Sequence, residues 1–369
     1  MKPFQPEEVI VEQGSECSPI YRNLRRNLPQ VPFRLVDAIS PQGGNRLTIG
    51  DPFGAAKRKL YLTKHKGEFF KKCPGSEGQV CCNYFVINFA SNCPMDCSYC
   101  YLQEYLADNS DLKVFSNVGD LVAEADQVLS KHRGMFFRVG TGEITDSLAL
   151  EPYTGMVGEM MPYFVEQPNV LLELKTKSDC VDSLLHFDPK GRVVVAWSMN
   201  PQSVIDRDEA DTASMRERLA AAKRCQEAGY RLGFHFDPLI EYPGWAADYE
   251  NMLDEVFATI DWKRLSWLSL GVLRNTPGLK RAMRQRFPAS GLLTGEQVLA
   301  PDGKLRYFQP LRVEMYRKMV HWIRRAAPTV KIYLCMESKE VWQQVFGFAP
   351  ACEKDLGNEM APGADAAWL

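Results

Sequence analysis

Three cysteines that lie close together in the chain are the residues best suited to chemistry. Cys93, Cys97 and Cys100 have the spacing C-x3-C-x2-C and follow a short apolar run. Thiolates are soft ligands, so three of them on one loop predict a metal site. A structural zinc ion or an ordinary iron–sulfur cubane takes four protein ligands. The three cysteines therefore predict a [4Fe–4S] cluster with one open iron, which can bind a small molecule and pass it an electron.

Two other interpretations of this loop stay open. One is a zinc loop completed by Cys81 or Cys82, and the other is three cysteines that are close in sequence without binding metal. The apolar run before the loop, the aromatic Tyr101 after its last cysteine and the motifs further along the chain agree with one another. This agreement between independent features favours the cluster.

The composition is that of a globular protein, and the sequence predicts that it works in the cytoplasm. The chain has 369 residues, of which 45% are apolar and 24% charged, enough for one large α/β barrel. Neither an apolar run of membrane-spanning length nor a signal sequence is found, which predicts a cytoplasmic protein without a membrane partner. Eleven cysteines, an odd number, indicate reduced thiols and a metal cluster rather than a disulfide framework. A net charge of −2 provides no general attraction for nucleic acid, so a DNA surface would have to be a local basic patch.

The arrangement of apolar runs predicts a parallel sheet with helical crossovers. Residues 1–80 are rich in proline, glycine and charge and are interpreted as an irregular N-terminal extension. After them, β-branched runs alternate with helical stretches, which predicts repeated βα units. The predicted strands are 84–90, 135–139, 170–174, 193–198, 231–236 and 265–270, and the predicted helices are 118–130, 153–164, 212–228 and 245–259. The predicted fold class is α/β, a partial (β/α)6 TIM-like barrel over residues 81–336, followed by a C-terminal helix and tail at 337–369.

Polar groups follow each predicted strand, at the end where a parallel sheet carries its functional loops. The cysteine loop follows the first strand, and Gly140-Thr141-Gly142-Glu143 follows the second. Two glycines let a backbone approach a ligand, and the carboxylate beyond them can receive an ammonium group, although a plain turn is the alternative. Lys177, Ser198 and Asn200 come after the third and fourth strands. His235 and Asp237 lie at the end of the fifth.

These motifs resemble the radical S-adenosylmethionine (SAM) superfamily. The resemblance implies that SAM chelates the open iron through its amino and carboxylate groups. Reduction then cleaves SAM to methionine and a 5′-deoxyadenosyl radical. In that superfamily a Gly-Gly-Glu-like segment after the second strand holds the methionyl amino group, which assigns this role to Glu143.

A closer resemblance is to the spore photoproduct lyase family, and it covers about residues 80–335. Its motifs are found at residues 97–103, 177–185, 198–200, 218–223, 228–234 and 265–288. The resemblance implies that Tyr99 and Tyr101 flank the cofactor and that Lys177, Ser198 and Asn200 surround the carboxylate and ribose of SAM. It also implies the reversal of a thymine–thymine photoproduct in DNA, with a reductant such as flavodoxin or ferredoxin as partner.

Two positions in this chain depart from that family. The family has a cysteine after the second strand that returns a hydrogen atom to the product, and Thr141 aligns with it here. An alcohol is a far poorer hydrogen-atom donor than a thiol, so Cys335 at the end of a final strand-like run and Tyr101 become the candidate donors. For Cys335 the alternative is an apolar filler of the core. The second departure is Asp237, where the family tends to have a small apolar residue.

The remaining cysteines and the basic residues leave more than one function open. Cys73, Cys81 and Cys82 are either an auxiliary metal or redox site or part of the packing near the cluster. The basic residues contact DNA phosphates or form solvated helix faces; they are Arg274, Lys280, Arg281, Arg284 and Arg286, and then Arg312, Arg317, Lys318, Arg324 and Arg325. Three classes of function therefore remain: a DNA-lesion lyase, a radical SAM enzyme for a small molecule, peptide or RNA, and a metal-binding protein without enzyme activity.

Overall fold

The computed structural model describes residues 1–39, 51–351, 356–357 and 360–361. The described strands are β1 (Glu8–Glu12), β2 (Phe33–Val36), β3 (Lys59–Thr63), β4 (Phe70–Lys72), β5 (Tyr84–Ile87), β6 (Ala90–Ser91), β7 (Asp96–Cys97), β8 (Leu112–Phe115), β9 (Phe137–Gly140), β10 (Val170–Thr176), β11 (Val193–Ser198), β12 (Glu209–Ala210), β13 (Arg231–Leu239), β14 (Leu265–Val272), β15 (Arg274–Asn275), β16 (Val298–Leu299), β17 (Leu305–Arg306) and β18 (Ile332–Leu334).

The described α-helices are α1 (Pro19–Asn27), α2 (Pro52–Ala56), α3 (Leu102–Tyr105), α4 (Val118–Lys131), α5 (Glu151–Thr154), α6 (Met156–Phe164), α7 (Gln202–Asp208), α8 (Met215–Glu227), α9 (Trp245–Thr259), α10 (Pro277–Arg286), α11 (Gln309–Ala326) and α12 (Lys339–Phe346). Short 3₁₀ turns are found at Leu184–His186, Trp262–Arg264 and Gly291–Leu293. No helix of the described segments is long and apolar enough to cross a membrane.

The main sheet has eight strands in the order β18-β14-β13-β11-β10-β9-β5-β4. All neighbours pair in parallel except β4, which runs antiparallel to β5. Strands β11 and β14 are buried along their whole length and are mostly apolar, as in a sheet covered by helices on both faces. The predicted fold class and its six strands are confirmed, and β18 adds a seventh parallel strand.

A backbone hydrogen bond joins the segments next to the two ends of this sheet. The backbone N–H of Val80, in the segment before β5, donates to the carbonyl of Glu337, just after β18, at 2.9 Å. The strands themselves do not pair across this gap in the described part of the chain. The segment that carries Cys73, Cys81 and Cys82 therefore lies beside the end of the last strand.

The described residues of the segment 1–80 are more regular than the sequence indicated. Strands β2, β1, β3 and β8 pair in parallel, and β6 pairs antiparallel to β8, so they form a second, five-stranded sheet. The prediction of an irregular extension is wrong in this respect, because strands of four or five residues between proline- and glycine-rich turns give little periodic signal. Strand β4 precedes residue 80 but belongs to the main sheet, whereas β8 follows it and belongs to the second sheet. A domain boundary at residue 80 stays a prediction.

The predicted crossover helices are confirmed, although one of them is divided into two helices. Helix α8 begins at a capping box in which Ser214 and Glu217 satisfy each other's backbone N–H groups. The helix predicted over 153–164 is divided into α5 and α6 at Gly155, whose φ of 60° interrupts the helix. At the C-terminus α12 is the predicted helix, and part of the predicted tail lies outside the described residues.

Candidate active site

The three cysteines lie on the loop between β6 and α3, above the end of the main sheet's strand β5. Within the loop, β7 pairs antiparallel with β12, and this pairing fixes Cys97 opposite Glu209. Cys97 is buried, whereas Cys93 and Cys100 are half-buried and pack against Phe53, Leu102 and Leu106. The loop is therefore held between the barrel on one side and a small apolar cluster from α2 and α3 on the other.

The three thiols are close enough that their charges would repel one another. Burial raises the pKa of Cys93 to about 12, and Asp146 and Cys100 add to the rise. Burial also raises the pKa of Cys97 well above its usual value, with Cys100 and Cys93 among the causes. Metal binding requires thiolates, so a bound cluster would displace protons from these groups. Among the described residues no three His, Cys, Asp or Glu side chains are arranged to hold a single metal ion.

A buried polar network lies beneath Cys97 and contains three of the predicted cofactor ligands. The Tyr99 hydroxyl donates to the carboxylate of Glu209, and Asn200 Nδ2 donates to Glu209 Oε1 at 2.8 Å. Arg218 Nη2 lies 2.6 Å from Glu209 Oε2, and both side chains are fully buried. Lys177 Nζ lies 5.8 Å from the centre of the Tyr99 ring. The structure thus brings Tyr99, Lys177 and Asn200 together around one carboxylate.

Neighbouring charges keep the side chains of Glu209 and Lys177 ionised. Burial works against ionisation of Glu209, but Arg218 and Lys177 lower its pKa to about 2. In the same way burial opposes the charge of Lys177, while Glu209 and Cys97 raise its pKa. Glu209 is therefore an anion, and Lys177 presents a positive charge next to the cysteine loop.

Ser198 and Asp146 connect the ends of neighbouring strands to this network. The backbone carbonyl of Ser198 accepts a hydrogen bond from Arg218 Nη1 at 2.9 Å. Asp146 accepts from Thr176 Oγ1 and from the backbone N–H of Lys177, each at 2.7 Å. The carboxylate of Asp146 therefore ties the loop after β9 to the end of β10, next to Lys177.

Glu143 has the property that its predicted role requires. Its Oε2 atom is buried and has no hydrogen-bond partner among the described residues. Burial raises the pKa of the Glu143 carboxyl, and Lys71 opposes this rise. The hydroxyl of Tyr101 donates to the backbone carbonyl of Glu143 at 2.6 Å, so the residue after the last cysteine contacts the second loop. An unpartnered buried carboxylate oxygen beside the cysteine loop fits the ammonium group of an amino-acid ligand.

The two glycines of this segment make room for protein side chains. A Cβ atom on Gly140 would lie 1.4 Å from the hydroxyl of Tyr84, and one on Gly142 would lie 2.9 Å from Cβ of Lys175. The sequence-based interpretation attributed both glycines to the approach of a ligand. In the structure the need for glycine at these positions is explained by the packing of Tyr84 and Lys175.

The interior of the barrel contains a second buried charged group. Glu173 on β10 lies 2.6 Å from Nε2 of His235 on β13 and 3.1 Å from Nη2 of Arg138 on β9. The same Arg138 nitrogen donates to the hydroxyl of Tyr333 at 2.9 Å. Burial lowers the pKa of His235 to about 4, and Lys175 adds to this, whereas Glu173 opposes it. His235 is therefore neutral at pH 7 and is hydrogen-bonded to Glu173. Sequence reasoning did not single out Glu173.

This histidine makes the stability of the fold depend on pH. Because the pKa of His235 is lower in the folded state than the ordinary value of 6.5, the unfolded chain binds the proton first as the pH falls. Stability is therefore lost as the pH falls from about 6.5 towards 4. We expect the free energy of unfolding to drop between pH 7 and 5 by roughly 2 kcal/mol more in the wild type than in His235→Gln, measured by urea denaturation. His321→Gln, at an exposed position of α11, should keep the wild-type pH dependence; equal slopes in all three proteins would contradict the assignment.

Cys335 lies at the mouth of the barrel, directly after β18. Arg274 Nη2 lies 3.7 Å from its Sγ, and Arg274 forms a two-pronged ion pair with Asp237, with both N···O distances 3.0 Å. Burial raises the pKa of the Cys335 thiol to about 12, and Asp237 adds to the rise. The ion pair with Arg274 explains why an acidic residue, Asp237, stands where the family tends to have a small apolar one. At the other departure from the family, Thr141 is buried, and its hydroxyl donates to Ser147 Oγ at 2.7 Å.

Several basic residues of the predicted patches are already paired. Arg286 contacts Asp51 and Asp96, and Arg312 is buried against Glu337. Arg281 and Arg284 are exposed on α10. The interpretation of all ten basic residues as surface charge was therefore too broad, because helical spacing does not tell which side of α10 faces the protein.

Comparisons with known proteins agree with this geometry. A family model described as spore photoproduct lyase matches residues 55–308. The spore photoproduct lyase of Geobacillus sp. (strain Y412MC61) is 26% identical over 299 residues, which cover 79% of this chain and 85% of that protein. The spore photoproduct lyase of Bacillus subtilis (strain 168) is 24% identical over 304 residues, covering 80% and 86%.

Solved structures give the same result for the fold. A cysteine-to-alanine mutant of spore photoproduct lyase is similar with a TM-score of 0.80 and 25% identity, over 90% of this chain and 100% of that one. A spore photoproduct lyase complexed with a dinucleoside spore photoproduct gives 0.79 and 25% over the same shares. The half-barrel and its three-cysteine loop define a radical SAM enzyme. The chain belongs to the spore photoproduct lyase family.

Family membership confirms the predicted enzyme class, a radical SAM lyase, and its cofactors, a [4Fe–4S] cluster and SAM. The roles predicted for individual side chains are a separate matter and stay predictions. Sequence reasoning missed Glu209, Asp146 and Glu173 as site residues. A charged residue in the middle of an apolar strand is the signal for Glu173, since an unpaired buried carboxylate is costly.

Proposed function

We propose that this chain repairs a thymine photoproduct in DNA by radical SAM chemistry. The observation that carries the proposal is the buried, unpartnered carboxylate oxygen of Glu143 beside the three-cysteine loop. It lies in a fold like that of a spore photoproduct lyase whose structure contains a dinucleoside spore photoproduct. The second candidate, a radical SAM enzyme for a different substrate, is favoured by Thr141, whose hydroxyl takes the place of the donor thiol.

The cofactor site is assigned as follows. Cys93, Cys97 and Cys100 hold the cluster, and Glu143 receives the amino group of SAM. Lys177, Ser198 and Asn200 surround its carboxylate and ribose, with Tyr99 and Tyr101 packed beside it. When bound, the cluster and SAM would supply this site with a carbon radical able to abstract hydrogen from the substrate. Glu209 and Arg218 keep Tyr99 and Asn200 in place, and the barrel excludes water from the reacting carbon.

A thiol donor for the last step is available at Cys335. The high pKa caused by burial keeps its hydrogen at neutral pH, and a thiolate would have no hydrogen atom to give. In the transfer the S–H bond breaks, a C–H bond forms on the substrate, and the sulfur keeps the unpaired electron. Tyr101 is the second candidate donor, since its hydroxyl is hydrogen-bonded to the backbone carbonyl of Glu143. The proposed electron donor is a flavodoxin or a ferredoxin.

A surface for DNA is proposed at the outer side of α10 and the neighbouring hairpin. Arg281 and Arg284 are exposed there, and Lys280 reaches Gln297 Oε1 at 3.3 Å. The hairpin of β16 and β17 carries Val298 and Leu299, which are 47% and 65% exposed. Exposed apolar side chains next to positive charge suit a duplex whose bases must be separated to reach the lesion.

Reversing the charge of Arg281 and Arg284 should weaken DNA binding. If both arginines contact phosphates, the double variant Arg281→Glu/Arg284→Glu loses at least tenfold in affinity at low salt. The slope of log affinity against log salt falls by about 2, because about one counterion is released for each phosphate contact. Fluorescence anisotropy with a duplex checks this. Lys223→Glu on α8 is the control and should bind like the wild type, and an unchanged salt slope in the double variant would contradict this surface.

The function itself is tested with anaerobically reconstituted, reduced protein. With SAM and a dinucleoside spore photoproduct, we expect formation of 5′-deoxyadenosine together with the two restored thymidines. Formation of 5′-deoxyadenosine without restored thymidine would support the second candidate. If neither product forms although the iron content is complete, the radical SAM proposal for this chain is wrong.

A further inference from the structure

One side chain outside the barrel, Arg286, contacts the cysteine loop. It is the last residue of α10, and its side chain is only 7% exposed. Its Nη2 atom lies 2.9 Å from both carboxylate oxygens of Asp96, the residue before Cys97. Its Nε and Nη2 atoms contact Asp51 at 2.7 and 2.8 Å. This arginine therefore joins the end of α10 to the middle of the loop and to the start of α2.

Gln103 extends this contact to the backbone of the loop. Arg286 Nη1 donates to Gln103 Oε1 at 2.9 Å, which fixes the orientation of the amide. Gln103 Nε2 then donates to the carbonyls of Ser98 at 2.9 Å, Cys100 at 3.1 Å and Cys97 at 3.4 Å. One side-chain amide thus holds three carbonyl groups, those of residues 97, 98 and 100, in the part of the loop that carries the last two cysteines.

Two more contacts fasten the same region. Lys57 Nζ donates to the carbonyl of Met95 at 2.6 Å and to Asp96 Oδ1 at 2.9 Å, so Asp96 lies between two cations. At the other end of α10, Thr276 Oγ1 contacts the carboxylate of Glu104 on α3, and a Cβ on Gly278 would lie 1.8 Å from Glu104 Oε1. Helix α10 therefore contacts the loop region at both of its ends.

We propose that Arg286 is a positioning residue for the iron–sulfur cluster: through Asp96 and Gln103 it sets the geometry and the charge environment of the cysteine loop. The proposal rests on the proposed function, because it requires a cluster on these cysteines. Without the guanidinium, Asp51 and Asp96 would face the loop with less positive charge. Added negative charge near an iron–sulfur cluster disfavours its reduction.

The test compares Arg286→Gln and Arg286→Lys with the wild type and with Arg284→Gln, an exposed neighbour on the same helix. Hydrogen exchange of the full chain without iron measures the loop itself. We expect amide exchange at residues 97–105 to rise at least tenfold in Arg286→Gln and to stay unchanged in Arg284→Gln. Helix α8 serves as the internal reference and should not change. Wild-type exchange at 97–105 in Arg286→Gln would overturn the proposal.

The cluster provides the readouts that a purely structural role would not move. After reconstitution we expect the midpoint potential of Arg286→Gln to be more negative than that of the wild type and its EPR spectrum with SAM to be altered. Arg286→Lys keeps the charge but not the contact with Gln103, so its potential should stay near the wild-type value while loop exchange rises. A wild-type potential and spectrum in Arg286→Gln would overturn the proposal. If even the wild type assembles no cluster, the proposed function fails, while the exchange experiment still reports on Arg286.

Discussion

Replacing Cys97 by alanine is expected to abolish SAM cleavage by this chain. Cys97 is the buried member of the three cysteines and lies in the β7–β12 pairing, so alanine can keep the backbone geometry. A cubane held by only two thiolates has lost one of its three protein ligands. We expect formation of 5′-deoxyadenosine to fall at least a thousandfold and reconstituted iron to fall well below about four atoms per chain. Product assay and iron analysis measure both effects.

The matched control for this variant is Cys225→Ala. Cys225 is a fully buried residue of α8, away from the loop, so its loss removes a core thiol without touching the cluster. It should keep full iron and full SAM cleavage. If Cys97→Ala keeps them as well, a different cysteine completes the site, and Cys81 or Cys82 would be examined next. Recovery of one zinc per wild-type chain, with no iron bound after anaerobic reconstitution, would favour the zinc-loop alternative.

The barrel could be predicted from sequence because its strands are buried on both faces. The run 193–197 is apolar throughout, and the structure places β11 at Val193–Ser198. The second sheet gave no comparable signal. Its strands β1 and β3 have five residues each, with a charged residue at an end, and nothing in the sequence between them marks their parallel pairing.

The candidate site likewise contains some residues that the sequence could predict and others that it could not. Residues that follow a strand or lie on the cysteine loop could be predicted from motifs that resemble the family's, as Tyr99, Lys177 and Asn200 were. Glu209 lies 110 positions from its partner Tyr99, and Arg286 lies 190 positions from Asp96. Such pairs depend on how β12 and α10 are placed in the folded chain, so a single sequence does not reveal them. Helical spacing indicated that Lys280, Arg281 and Arg284 share a face but not that Arg286 faces inward.

Replacing Cys335, the proposed hydrogen donor, by alanine should separate the two halves of the reaction. The variant keeps the cysteine loop, Glu143 and the network of Glu209, so we expect SAM cleavage within about twofold of the wild type. Restored thymidine should fall at least tenfold, because the proposed donor thiol is absent. The ratio of thymidine to 5′-deoxyadenosine measures this uncoupling.

Deuterium identifies the donor directly in the same assay. A thiol exchanges its hydrogen with solvent, so in D₂O the wild type should place one deuterium in the restored thymidine, and residual product of Cys335→Ala should lose it. Cys225→Ala is the control, since Cys225 is a fully buried thiol of α8. Cys73 and Cys82 are the alternatives, because the charges of both interact with that of Cys335. Undiminished, deuterated product from Cys335→Ala would exclude Cys335 and direct the same experiment to those two thiols.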